Sequence, residues 1–217
     1  MPRAARIEYP DAVYHVTTRG NRRDAIFEDD RDRERLLAVM ASAFARCEAR
    51  ALAYCLMPNH YHVVLHTRHA NLSEVMRHVN GAFTHAFNRR HGRSGHLFQG
   101  RFASVHVDRE AHLLSACRYV DLNPVRAGLL WDPARWPWSS FRAHAGLASP
   151  PAWLDCAALQ ERFLGRPVRD EADVRMSGRS YAKWVEDGRN ERLWDVALRE
   201  GRFLGDEAFV EWVKGKA

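Results

Sequence analysis

The run His60-Tyr61-His62-Val63-Val64-Leu65-His66-Thr67 sets His60, His62 and His66 at even positions against Tyr61, Val63 and Leu65 at odd ones, and it follows another apolar run, Ala51 to Met57, with only Pro58-Asn59 between them. Successive side chains on a strand point to opposite faces, so this spacing predicts an antiparallel hairpin turning at Pro58-Asn59. A two-stranded hairpin is at best marginally stable alone in water. The rest of the chain must therefore supply further strands and a layer to cover one face.

It does so in a recognisable order. Ala12 to Thr18, AVYHVTT, is rich in β-branched and aromatic residues and is followed by the turn signal Arg19-Gly20-Asn21, which predicts a first strand. Asp29 to Arg50 places Leu36, Leu37, Met40 and Phe44 at helical spacing behind an acidic opening suited to a helix N-terminus. After the hairpin, Leu72, Val75, Met76, Val79, Phe83, Ala86 and Phe87 recur at steps of three and four, with Asn71 as candidate cap and the basic patch Arg89, Arg90, Arg93 near the end. FASVHV reads as a fourth strand, and Asp108 is a candidate cap for a helix from Arg109 towards Asn123. The order β-α-β-β-α-β plus one helix predicts an α+β, ferredoxin-like (split βαβ) antiparallel sheet, with helices on one face and the other free for a site. Past Leu130 the composition turns to Pro and Trp, then to short helical patterns, so residues 1–147 are read as the main domain and 148–217 as a small helical C-terminal extension. The last segment, GDEAFVEWVKGKA, reads as one short amphipathic helix, and Trp131, Trp136 and Trp138 as anchors of this extension to the core.

Composition narrows the class of partner. With 33 Lys+Arg against 27 Asp+Glu, an anionic partner is favoured without being named. Cys47, Cys55, Cys117 and Cys156 are scattered, with no paired spacing for zinc or a disulfide framework. The N-terminal stretch lacks the apolar core of a signal peptide and no apolar run approaches a membrane span, so a soluble cytoplasmic protein with no membrane partner is expected.

The chemistry is carried by two pairs. His60 and His62 share one face of a strand, where two neutral imidazoles suit one metal ion, although a hydrogen-bonded or exposed pair fits the same pattern. Tyr119 and Asn123, four apart on a helix whose buried stripe is Leu113, Cys117 and Val120, are neighbours on its surface. Two imidazoles and an amide oxygen form an uncharged ligand set with open positions, suited to Mg²⁺ or Mn²⁺. Pro124 disfavours helical geometry at Asn123, which is therefore expected in the helix's final turn.

The stretches TRGN, IFEDD, AYCLMPNHYHVVL, FNRRHGRSGHLFQGRF and YVDLNPVRAGL, in this order, resemble the REP-associated tyrosine transposases of the HUH single-tyrosine transposase superfamily, over residues 7 to about 145. The resemblance implies that His60 and His62 are metal ligands, Asn123 the third ligand and Tyr119 the nucleophile. It also implies action on single-stranded or hairpin DNA, through a 5′-phosphotyrosyl intermediate and a free 3′-OH. Arg101, Arg89, Arg90, Arg93 and Arg126 flank this site as candidate DNA phosphate contacts, Arg101 foremost because it sits among aromatics in FQGRF. The competing reading is a ferredoxin-like nucleic-acid-binding module without catalysis. A zinc hydrolase would want a third histidine or a carboxylate. Monomer and homodimer are both compatible with the sequence.

Overall fold

The computed structural model describes residues 6–190 and 202–216. Strand β1 (Ala12–Arg19) leads to helix α1 (Asp30–Arg46), the hairpin β2 (Ala49–Met57) and β3 (His60–Thr67), helix α2 (Leu72–His91) and strand β4 (Ala103–Val107). Helix α3 (Leu113–Asp121) and the short α4 (Asn123–Arg126) follow, then α5 (Phe141–His144), α6 (Ala157–Leu164), α7 (Glu171–Asp187), strand β5 (Phe203–Leu204) and a last helix, Glu207–Lys214. The strand order is β2-β3-β1-β4-β5. The pairs β2–β3, β3–β1 and β1–β4 are antiparallel, as the split βαβ order requires, whereas β5 adds a short parallel strand beside β4.

Strand periodicity divides the core into two layers. Tyr61, Val63 and Leu65 join Leu36, Met40 and Phe44 of α1 and Val75, Val79 and Phe83 of α2 in one apolar cluster, each fully buried side chain contributing about 2 kcal/mol. Cys55, Met57 and Val64 point the other way, against Leu113, Cys117 and Val120 of α3, Phe141 of α5 and Tyr181 and Val185 of α7. The face expected to be free is thus covered by α3, α5 and α7, because the apolar stripe of α3 has no other surface to bury against.

Three local expectations change. Helix α1 ends at Arg46, not Arg50, since Glu48 takes a left-handed φ of 51° and turns the chain straight into β2. Asp108 accepts from the amides of Glu110 and Ala111 and so caps a turn, and α3 starts only at Leu113. Asn123 opens α4 instead of closing α3, with the break falling where Pro124 has no N–H to donate.

The outer edge of β2 is not left open. Leu56 N donates to Trp138 O, Ser140 N to Tyr54 O and Ala51 N to Trp153 O, so the segment after α4 occupies the donors and acceptors that an edge strand would otherwise present. Trp136 donates its indole N–H to Leu56 O and Trp138 packs on the first cluster, as anchors should. Trp131 does not, and remains 78% exposed. Beyond residue 147, Leu204 and Tyr181 enter the second cluster and Val213 the first. Among the described residues no helix is long and apolar enough to cross a membrane.

Candidate active site

The register of β1 on β3 sets Thr17 opposite His62 and Arg19 opposite His60. Directly paired residues on antiparallel strands point to the same face, so these side chains gather on the side covered by α3. His15, two residues before Thr17, completes the row. Its Nε2 lies 2.9 Å from His62 Nδ1, which also meets Thr17 Oγ1 at 3.1 Å. The His15 and His62 rings stack at 5.1 Å, and His60 stands edge-on to His62 at 4.9 Å.

Helix α3 brings Tyr119 to this row. Its ring is edge-on to His15 at 5.6 Å and to His62 at 6.0 Å, and the Arg126 guanidinium lies 5.1 Å from its centroid. Asn123 turns its Nδ2 back to Tyr119 O at 3.0 Å, which leaves Oδ1 as the acceptor of that amide. The helix is fastened two residues on by Asp121, wholly buried, which accepts from Ser140 Oγ at 2.5 Å, His144 Nδ1 at 2.7 Å and Tyr181 Oη at 2.6 Å. Burial alone would lower the His144 value, but the Asp121 carboxylate overrides it and raises it to about 10.

Electrostatics keep the histidine row neutral. Burial, then the Arg19 charge, lowers His60 to about 4, and burial lowers His15 to about 4. His62 falls well below its ordinary value through burial first and then His15, His60 and Arg19. Neutral imidazole is the form that binds a metal. His60 Nδ1 lies 2.7 Å from Asn59 Oδ1, while Asn59 Nδ2 donates to Arg23 O. That bond holds the His60 proton on Nδ1 and gives Nε2 the lone pair. His62 Nδ1 has two possible acceptors in His15 and Thr17, so its Nε2 is available by the same logic. These donors fit a divalent ion, although among the described residues no three His, Cys, Asp or Glu side chains are grouped to hold one. An oxygen ligand such as the Asn123 amide would complete such a set.

Of the arginines singled out from sequence, Arg126 alone is brought onto Tyr119. Arg101 is exposed and lines a groove with Asn80, Asn88 and Gln99 beside α2, and Arg89 is exposed on α2. Arg90 is bound to Asp29 and Asp32, and Arg93 to Glu28 at 2.9 Å, so part of each guanidinium is already taken by a carboxylate. Sequence reasoning missed His15, Thr17, Arg19 and Asn59. The signal for the first three was present as His-x-Thr-x-Arg, a strand alternation as regular as the HxH itself.

The fold has a counterpart among known proteins. A REP-associated tyrosine transposase solved bound to a REP hairpin superposes with a TM-score of 0.59 over 70% of this chain and 89% of that chain, at 19% identity, which shows a shared fold. A putative transposase from Deinococcus radiodurans matches at a TM-score of 0.39 and 14% identity, over 59% of this chain and 92% of that one, too distant to carry an argument. No curated protein matches the sequence. The family model described as "Transposase IS200 like" matches residues 8–123, more than half of the 217 residues and a span that contains the whole histidine row, Tyr119 and Asn123. The chain belongs to the IS200-like transposase family.

Proposed function

We propose that this transposase is a divalent-metal-dependent, single-tyrosine strand transferase acting on single-stranded or hairpin DNA, with Tyr119 as nucleophile and His60, His62 and Asn123 as metal ligands. The observation that carries this reading is the Tyr119 ring edge-on to His62, on a helix tied down by the three donors to Asp121. A tyrosine placed only for packing has no use for a neighbouring row of neutral imidazoles.

In this reading the Tyr119 oxygen attacks the scissile phosphorus, the bond from phosphorus to the 3′ oxygen breaks, and the strand downstream of the break stays on the protein through its 5′ phosphate as a phosphotyrosyl ester. The phenolic proton leaves to solvent and the departing 3′ oxygen takes one up, so the reverse attack by a 3′-OH rejoins a strand without external energy. A bound Mg²⁺ or Mn²⁺ would supply Lewis-acid polarisation of the phosphate oxygens. Asn59, Thr17 and His15 hold the imidazoles of His60 and His62 in the orientation needed to bind it, and Arg126 supplies positive charge over the ring of the attacking tyrosine. The REP-associated relative, solved on a REP hairpin, makes a hairpin the first substrate to use.

Incubation with labelled hairpin DNA carrying single-stranded flanks, with Mg²⁺ or Mn²⁺, tests the reading. A denaturation-resistant protein–DNA adduct is expected from the wild type and not from Tyr119→Phe. Hairpin binding without an adduct in either metal, over several flank sequences, would instead make the chain a nucleic-acid-binding module.

A further inference from the structure

Trp131 lies just beyond α4, five residues after Arg126, and is far more exposed than a large aromatic on a folded surface ordinarily is. It is nonetheless held in place. Arg189 donates to Trp131 O at 3.0 Å and sets its guanidinium 4.5 Å from the ring centroid. The ring forms one wall of a groove of about 540 Å³ that also takes in Arg33, Arg135, Trp136 and Trp138, a volume in the range of small-ligand clefts. Its one acid, Asp30, is already paired with Arg33 at 2.9 Å.

The position of the groove is as informative as its chemistry. Its floor is tied to the end of β2 through the bonds from Leu56 N to Trp138 O and from Trp136 Nε1 to Leu56 O. One turn later, past Pro58-Asn59, the chain reaches His60, and on the other side α4 leads back to Arg126 over Tyr119. The groove is therefore joined to the candidate active site by two short stretches of chain, from Leu56 through the β2–β3 turn to His60 and from Trp131 back to Arg126, and it offers a flat aromatic surface and cations together. Aromatic rings beside arginines are how single-stranded nucleic acid is held, because every base has a stacking face and every linkage a negative charge.

We propose that Trp131 is a stacking platform for an unpaired nucleobase of the DNA strand engaged at Tyr119, with Arg135 contacting that nucleotide's phosphate. The inference rests on the strand-transferase reading above and adds a substrate-binding surface to it. A base stacked on Trp131 would restrain the strand next to the scissile phosphate, acting on affinity and not on the chemical step.

The test follows adduct formation against DNA concentration for wild type, Trp131→Ala and Trp131→Phe, with hairpins that carry or lack single-stranded flanks. Trp131→Ala is expected to raise the half-saturating concentration of flanked DNA about ten-fold, with the adduct rate at saturation unchanged and with Phe restoring most of the affinity. Exposure of the ring leaves only the Arg189 contact to lose, so the thermal midpoint of Trp131→Ala is expected within about 2–4 °C of the wild type, which separates the effect from misfolding. Wild-type half-saturation in Trp131→Ala on flanked DNA overturns the platform while leaving the strand-transferase reading intact. Absence of any adduct from the wild type overturns that reading and the platform with it.

Discussion

His15 Nε2 sits 2.9 Å from Nδ1 of His62, with the two rings stacked nearly parallel at an angle of 8°. The contact crosses from β1 to β3 and joins residues 47 apart in sequence, so under the proposed function the third imidazole of the row would act on the metal site without being one of its ligands. A group that holds the far nitrogen of a ligating histidine sets both its tautomer and its ring orientation.

His15→Ala should therefore weaken Mn²⁺ binding by about 10- to 100-fold, the usual effect of losing such a partner. Titration of the protein with Mn²⁺, followed by its paramagnetic resonance signal, checks this without DNA. An unchanged Mn²⁺ affinity would assign the orientation of His62 to Thr17 alone.

Arg126 lies over the Tyr119 ring, from where, under the proposed function, it would offer a charge to the reacting phosphate. A hydrogen bond to a charged group is worth roughly 1.5–3 kcal/mol, so Arg126→Ala should slow adduct formation by about 10- to 100-fold. Lysine at this position should recover part of the rate, since charge is kept and the planar fork is lost. Single-turnover rates at saturating DNA measure it, and a wild-type rate in Arg126→Ala would remove the arginine from the chemistry.

Asp121 is buried with three donors around it, and removing a charged member of such a network leaves the others unmatched. Asp121→Ala should cost about 3–5 kcal/mol of stability, as breaking a buried ion pair does. Tyr181→Phe, which loses one bond to the carboxylate, should cost roughly 1.5–3 kcal/mol. Urea unfolding provides both values, and a loss below about 1 kcal/mol for Asp121→Ala would contradict the anchoring role.

Two buried histidines push the pH dependence of stability in opposite directions. His106, stacked between Tyr9 and Phe203, is lowered by burial from 6.5 to about 4. Between those values the unfolded chain binds the extra proton, so this contribution is complete above pH 6.5 and is lost as pH falls through 4. His144, raised by Asp121 to about 10, contributes fully below 6.5 and loses its contribution as pH rises through 10. His106→Phe should flatten the acid limb of unfolding free energy against pH and leave the alkaline limb alone. An unaltered acid limb would mean that other groups carry it.

Gly178 faces the backbone of Ala145, where an added Cβ would lie 2.6 Å from the carbonyl carbon and oxygen. Gly178→Ala should separate α7 from α5 and cost about 1–3 kcal/mol, as overpacking does. A thermal midpoint equal to wild type would show that the two helices shift apart freely.

Strand alternation in β3 and the helical stripes of α1 and α2 were legible because each depends on period alone, and their burial follows that period. The HxH pair and the Tyr119–Asn123 pair were legible for the same reason. What failed to show were the ends of elements and the partners of the site. Arg46 closes α1 because Glu48 takes a positive φ, and Trp131 lies open while Trp136 is tied to Leu56, differences that local composition does not encode.

The sequence by itself determined the split βαβ order, the face of β3 on which His60 and His62 stand, and the family, since these reside in spacing and in ordered motifs. Only the tertiary structure decided that His15, Thr17 and Arg19 join those histidines, that α3 covers their face and carries Tyr119 to them, and that Asp121 binds this helix to α5 and α7. The physical reason is register. Which residue of β1 stands opposite which residue of β3 depends on the packing of both sheet faces at once, and no stretch of either strand carries that information alone.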